Sequence, residues 1–270
     1  MKWGGLNFLI GAAGVLVSCC VSEAAAAADD RVAFSADGTT LTGTNGGGGA
    51  ALNWLHDFSP DSLVSLGVEH DVLANAHWTF GSVTGAISRG SGDQRYSLYG
   101  EVHEGSGRDA SGTFSYSNVL AGVSGTYYHR FTTQLEDRQI DIVTAHGNLP
   151  KLALAYLWSP HLLTTLSYAH SVSGNLGTHL VLARIDGYGK YGSLFVGGAS
   201  GQAVPAVFNF QTNTLTTPPR TLHEGYVGFT HPFASRRSEL SLIVDYIQLV
   251  SVNERWTLTL NYIFHVGHTP

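Results

Sequence analysis

Apolar and polar residues alternate along most of the chain with a period of two. The clearest segment is the last one, in which one set of alternate positions is apolar: Trp256, Leu258, Leu260, Tyr262 and Phe264. Thr257, Thr259 and Asn261 occupy the positions between them. Clusters of Gly, Pro, Asn, Asp and Ser separate such segments, and a helical period is hard to find. This pattern is typical of antiparallel strands joined in hairpins.

The connections between these segments fall into two kinds that alternate along the chain. Tight ones such as Ser59–Ser62 carry Pro or charge, whereas generally roomier ones include Gly105–Gly112 and the long Ser200–Thr221. Such alternation predicts an up-and-down sheet with the two kinds of connection at opposite ends.

The need for an even number of strands predicts one more strand near the N-terminus. Thirteen strands follow the glycine run Gly43–Gly49, and a bacterial barrel with both termini on the periplasmic side needs an even number. We therefore expect another strand over Val32–Thr42, with the glycine run as its outer loop. The predicted count is about fourteen, with twelve as the alternative if the N-terminal segment and one other do not pair.

The two faces of the strands differ in a way that favours a membrane barrel over a soluble sheet. The polar face is mostly Ser, Thr, Gly and Asn, without the Lys and Glu that cover a soluble sandwich. Aromatic residues occur near the strand ends, as in interfacial girdles: Trp54, Tyr96, Tyr127, Trp158, Tyr168, Tyr191, Tyr226, Tyr246, Trp256 and Tyr262. A sheet in lipid must close on itself. The predicted fold is all-β, a closed up-and-down antiparallel transmembrane β-barrel in the bacterial outer membrane. Its lumen is expected to be wet unless the long connection folds into it.

The N-terminus predicts export. Met1 and Lys2 precede an apolar stretch, Leu6–Val17, and small residues, which is the layout of a signal peptide. Cleavage within Ala24–Ala28 is one reading, and lipid attachment at Cys19, in a sequence similar to the bacterial lipoprotein box, is the other. The predicted division is a signal peptide over residues 1–28 and a barrel domain over residues 29–270.

Composition narrows the function classes. Charged residues are 13% of the 270, and 20 acids outnumber 14 bases, so no basic footprint for nucleic acid exists. Both cysteines lie in the predicted signal. After cleavage in the Ala run, disulfides, cysteine catalysis and cysteine metal sites are excluded. No metal and no cofactor are expected, and the expected surroundings are the lipid bilayer.

Two resemblances add to this interpretation. The last strand resembles the C-terminal signal read by the outer-membrane assembly machinery, with Tyr262 and Phe264 as its aromatic pair, although His265–Pro270 follow it. Lys151–Gly198 and the final two strands resemble the YaiO-type outer-membrane barrel family, through the segments Leu154–Pro160, Leu163–His170, Arg184–Gly189 and Phe195–Ala199. This resemblance implies an integral outer-membrane protein, in some cases found beside polysaccharide production, and therefore polysaccharide synthesis or export components as partners.

Eight polar-face residues are candidates for lining the lumen: Glu69, Asp71, Glu101, His103, Asp141, Arg184, Asp186 and Asp245. Their carboxylates could favour cations or bind neutral sugars. The alternative is that they pair with one another and with arginines only to satisfy a polar interior; those arginines are Arg89, Arg95, Arg130 and Arg138.

The segment Tyr168–Asn175 is similar to the His, Ser and Asn cluster of lipid A deacylase barrels, which place serine two residues after histidine. Position 172 is Val, and Ser171 and Ser173 belong to the opposite strand face from His170. No catalytic residue is therefore predicted.

We expect a non-enzymatic conduit or export pore for small polar solutes or a polysaccharide. The alternatives are an accessory barrel of an envelope polysaccharide system and, less favoured, a lipid A-modifying hydrolase.

Overall fold

A computed structural model describes most of the chain after the predicted signal. The described residues are 29–42, 44–59, 61–73, 76–91, 93–142, 144–203, 207–209, 214–216, 220–233, 238–250 and 253–266. The predicted signal peptide, including Cys19, lies outside them. The strands are β1 (Asp29–Leu41), β2 (Thr44–Ser59), β3 (Ser62–Leu73), β4 (Ala76–Ser91), β5 (Gln94–Asp109), β6 (Gly112–Tyr127), β7 (Phe131–Ile142), β8 (Ala145–Asn148), β9 (Lys151–Ser159), β10 (Leu162–His170), β11 (His179–Gly189), β12 (Gly192–Ala203), β13 (Val207–Asn209), β14 (Thr214–Thr216), β15 (Arg220–Pro232), β16 (Ser238–Leu249) and β17 (Asn253–His265).

The strands form one antiparallel sheet that closes on itself. Each spanning strand pairs with its sequence neighbours, and β1 pairs with β17 from Arg31 opposite His265 to Leu41 opposite Arg255. At this seam the hydroxyl groups of Thr39 and Thr257 are 3.1 Å apart on the inner face. β13 and β14 form a separate hairpin within the connection from β12 to β15.

β8 and β9 are two halves of one spanning strand. Both pair with β7 in the same register, since Asn148 lies opposite Gln139 and Lys151 opposite Glu136. Pro150 separates the halves, and proline has no N–H to donate to the ladder. With β8 and β9 counted together, the barrel has fourteen strands, which confirms the prediction.

The strands are tilted strongly against the barrel axis. A row of paired residues that starts at Asp57, at the end of the barrel that holds the termini, passes through Glu136 and Lys151 and reaches Leu249 at the other end. Closure of a barrel requires this stagger.

The lengths of the connections differ less between the two ends of the barrel than the sequence suggested. At the end opposite the termini, β5 continues to Asp109 and β6 begins at Gly112, so the predicted loop Gly105–Gly112 is wrong. The longer connections there are residues 171–178 and the one that joins β12 to β15. Short turns mark the periplasmic side of such barrels and longer loops the outside, so the end with these two connections is the outer end.

The glycine run is also strand rather than loop. Gly47, Gly48 and Gly49 belong to β2 and pair with β1 on one side and β3 on the other; Gly43 lies outside the described residues. Glycine suits this place because the chains approach closely. A Cβ atom on Gly47 would lie 2.2 Å from the carbonyl oxygen of Val72.

Large apolar side chains cover the outside of the barrel. On β17 the outward residues Trp256, Leu258, Leu260, Tyr262 and Phe264 are all exposed. Aromatic rings lie toward both ends of this band, as in interfacial girdles: Trp256, Tyr246 and Tyr168 at the outer end, and Tyr96, Trp158, Tyr191 and Tyr262 at the periplasmic end. Tyr226 departs from the predicted girdle, because it is buried on the inner face.

Exposed apolar side chains around a closed sheet are stable only in hydrocarbon, which places the protein in the bacterial outer membrane. Among the described residues, no helix meets the length and hydropathy needed to cross a membrane.

The glycine pairing generates a test of the fold. Gly47→Val is expected to weaken closure between β2 and β3 by about 1–3 kcal/mol, as overpacking does. The measurement is the fraction of refolded protein that keeps the compact, heat-modifiable mobility on electrophoresis. Gly38→Val is the matched control, because a Cβ atom at Gly38 on β1 meets nothing within 4 Å. Equal behaviour of the two variants would contradict the paired register of the glycine run.

Candidate lumen site

Seven of the eight predicted lumen residues lie on the inner face of the barrel. They occupy alternate positions to the exposed apolar residues of the same strands: Glu69 and Asp71 on β3, Glu101 and His103 on β5, Arg184 and Asp186 on β11, and Asp245 on β16. Most of them are buried; Glu69 and Arg184 are partly exposed.

Asp141 differs from the other seven. It is exposed and lies on the outer face of β7, together with Leu135 and Asp137. The inner face of this strand carries Glu136 and Arg138 instead. The expected lumen position of Asp141 is therefore wrong, and the reason is a shift of one residue, which exchanges the two faces of a strand.

The tightest inner cluster joins β5, β7 and β9. Lys151 Nζ lies 2.6 Å from Glu136 Oε2, and both side chains are at most 3% exposed. Glu136 Oε1 accepts hydrogen bonds from Tyr99 Oη at 3.0 Å and from Gln134 Nε2 at 2.6 Å. Because both carboxylate oxygens are engaged, the charge of Glu136 is compensated in its buried position.

A second group of charges lies next to this cluster. Glu101 Oε1 is 3.3 Å from His103 Nε2 and 3.8 Å from Arg138 Nη1, and all three side chains are nearly completely buried. The ring of Phe80 lies 5.5 Å from that of His103 and stacks on Tyr116 at 5.2 Å. Aromatic rings therefore bound the charged cluster on its β4 side.

On β11, which β10 separates from β9, Arg184 and Asp186 form a forked ion pair. Arg184 Nε donates to both carboxylate oxygens of Asp186, at 2.9 and 3.0 Å. The guanidinium also lies 4.2 Å from the centroid of the Phe195 ring, a cation–π distance. Further round the wall, the guanidinium of Arg255 interacts electrostatically with the carboxylates of Asp245 and Glu224.

The wall formed by β1 to β3 is acidic. Asp37 lies opposite Gly49, which lies opposite Asp71, so two inward carboxylates flank one glycine. The carboxylate of Asp71 occupies the space over Gly49 where a Cβ atom would be. Glu69 lies on the same face of β3. Across the described central lumen, eight acids face four bases: Asp37, Glu69, Asp71, Glu101, Glu136, Asp186, Glu224 and Asp245 against Arg138, Lys151, Arg184 and Arg255.

Apolar side chains form an inner collar at the outer end of the lumen. One cluster joins β1, β3 and β4 through Leu41, Leu73, Ala76, Trp78 and Phe80. The other runs from β7 to β16 and consists of Ile140, Ala145, Leu149, Ala169, Leu176, Leu180, Ala199, Ala203, Leu222, Ile247 and Leu249. This apolar collar therefore lies between the outer end of the barrel and the charged belt.

Sequence reasoning missed several members of the charged belt. Lys151 was detectable, because it has the parity of Ala153 and Ala155, opposite the apolar Leu152 and Leu154. Glu136 was not, because the apolar residues of β7 change parity: Leu135 is outward, whereas Ile140 and Ile142 lie on the other face.

The Ser and Asn residues after His170 build the turn between β10 and β11. Ser173 Oγ lies 3.1 Å from Asn148 Oδ1 and accepts from Asn148 N at 3.0 Å. Asn175 Oδ1 accepts from His146 N, and Ser171 Oγ accepts from Thr178 N. These groups hold the turn against β8, which accounts for their presence without catalysis.

Comparisons with solved structures identify outer-membrane barrels of the same fold. No protein-family model matches the chain, and no curated protein sequence matches it. The "CymD monoaromatic hydrocarbon channel" is similar over 96% of this chain and 94% of its own, at 9% identity and a TM-score of 0.60. A Pseudomonas aeruginosa FadL homologue is similar over 88% of this chain and 89% of its own, at 8% identity and a TM-score of 0.53. Acinetobacter baumannii Omp33 is similar over 87% of this chain and 98% of its own, at 10% identity and a TM-score of 0.50.

The buried ion pair generates a stability prediction. Lys151→Met leaves the carboxylate of Glu136 without its cation and is expected to lower the free energy of unfolding by about 3–5 kcal/mol. The measurement is urea unfolding of the refolded barrel in detergent micelles. Adding Glu136→Gln is expected to restore part of the loss, because the buried charge is removed.

Lys190→Met is the matched control for this prediction, since Lys190 is exposed in the turn between β11 and β12. Destabilisation of the control equal to that of Lys151→Met would show that the ion pair has no specific role.

Proposed function

We propose that the protein is an outer-membrane conduit for small solutes, with a preference for cations over anions. The observation that carries the proposal is the inward belt of charged residues inside a closed barrel, in which acids outnumber bases two to one. Rings of acidic side chains favour cations in channels. The belt spans the middle of the barrel, where a passing solute has to exchange water for these groups.

The apolar collar supports a more specific class of solute. Apolar side chains such as Leu73, Trp78, Leu222 and Leu249 surround the outer end of the lumen, and the charged belt lies below them. A small molecule with an apolar body and a polar or cationic group is complementary to both. The described function of one barrel of similar fold, a channel for monoaromatic hydrocarbons, agrees with this class.

Passage of a polysaccharide, an accessory role in a polysaccharide system and kinship with YaiO-type barrels all stay predictions. None of these has a specific observation in its favour, so the conduit for small solutes is the function we put forward.

The proposal predicts an ion selectivity. In a planar bilayer under a KCl gradient, the reversal potential is expected to show preference for K⁺. The triple variant Asp37→Asn, Glu69→Gln and Asp71→Asn is expected to reduce the K⁺ to Cl⁻ permeability ratio at least about twofold, because carboxylate rings set such selectivity.

Asp141→Asn is the control, since Asp141 lies on the outer face of β7. A folded preparation that conducts no ions would overturn the conduit. Anion preference, or an equal effect of Asp141→Asn, would overturn the role of the acidic wall.

A further inference from the structure

One sector of the barrel, made of four spanning strands and the start of a fifth, is almost free of acidic residues. Between Ile142 and His223 the sequence contains a single acid, Asp186, and this residue faces inward and pairs with Arg184. The segment supplies β8 to β12 and the start of β15. The outer surface of these described strands therefore carries no negative charge.

Histidines and hydroxyl groups concentrate at the outer end of this sector. His170 and His179 are direct cross-strand partners on β10 and β11, and both are exposed. On β12 and β15, Ser200 Oγ lies 3.0 Å from His223 Nδ1, again with both residues exposed. Imidazole and hydroxyl groups both donate hydrogen bonds to phosphate oxygens.

The rest of the barrel exposes acidic residues at the same end. Its exposed outward residues include Glu104 on β5, Asp137 and Asp141 on β7, and Glu254 on β17. The absence of exposed acids is therefore a property of one side of the barrel and not of the outer end as a whole.

An apolar groove of about 510 Å³ lies on the outside of the same strands. Its walls include Leu154, Tyr156, Leu166, Ile185 and Val196. The groove exists because small residues are paired across neighbouring strands: Ala183 lies opposite Gly198.

The groove and the histidines are in line along the strands. His170 lies four residues beyond Leu166 on β10, and His179 lies four residues from Ala183 on β11, in each case toward the outer end. Four residues of a strand span roughly 13 Å. This spacing places the polar groups at the membrane surface and the groove within the hydrocarbon layer.

From this arrangement we propose a binding site for a phosphorylated, acylated lipid of the outer leaflet. Its phosphate group binds to the arc formed by His170, His179, Ser200 and His223, which we name the histidine arc. One of its acyl chains lies in the groove between β9 and β12. Hydrogen-bond complementarity selects an anionic headgroup, because the arc offers donors and no acid. The site is on the exterior, so it does not depend on the conduit.

The test is titration of the purified full barrel with bisphosphorylated lipid A, followed by native mass spectrometry in detergent. The triple variant His170→Gln, His179→Gln and His223→Gln is expected to bind at least about tenfold more weakly, through loss of hydrogen bonds to a charged group. Ala183→Leu, which fills the groove, is expected to weaken binding without a change in the arc.

The matched control is His70→Gln with His77→Gln, two exposed histidines outside the acid-free sector whose rings lie 6.3 Å apart. Heat-modifiable mobility verifies that each variant folds. Dephosphorylated lipid A is expected to bind the native barrel and the triple variant equally, and inorganic phosphate is not expected to displace lipid A. Unchanged binding by the triple variant, or an equal loss in the control, would overturn the site. Full displacement by inorganic phosphate would also overturn it, by showing that no acyl chain contributes.

Discussion

The structure depends on the requirement that every backbone N–H and C=O group in hydrocarbon finds a partner within the protein. A single open edge would leave a row of such groups unpaired, so the first and last strands have to meet. The pairing of β1 with β17 along almost their full lengths satisfies this requirement. It also fixes the even number of strands, the common side of the two termini and the division of each strand into an outer and an inner set of residues.

The sequence predicted the spanning strands where one face is consistently apolar. β9, β16 and β17 meet this condition, since hydrocarbon selects large apolar side chains at every second position. The alternation pattern failed in β2. Gly47, Gly48 and Gly49 have no side chains, so they carry no apolar or polar signal and were interpreted as a loop. Their strand conformation is determined by neighbours on both sides, which a local pattern does not contain.

The interior was harder to predict than the exterior, for a physical reason. The lumen accepts charged, polar, aromatic and small residues, so its composition carries little periodic signal. In β7 the outer face becomes polar after Leu135, while Ile140 and Ile142 on the inner face are apolar, so the alternation points the wrong way there. The partners Glu136 and Lys151 are adjacent only because β7 and β9 are paired, a fact of topology. Buried ion pairs of this kind are costly to desolvate, so the intact pair contributes little net stability although the loss of one partner is strongly destabilising.

The shortness of most outer connections determines what the cell presents to its surroundings. Strands β1 and β2, β3 and β4, and β5 and β6 are joined by two residues each. Little flexible polypeptide therefore projects above the lipid surface on that side. Proteases, antibodies and bacteriophages that approach from the medium have mainly two places to engage, the turn at residues 171–178 and the segment that carries the β13–β14 hairpin. Sequence variation driven by such encounters should concentrate in those two segments. Elsewhere at the outer end, substitutions are limited by the need to preserve strand pairing.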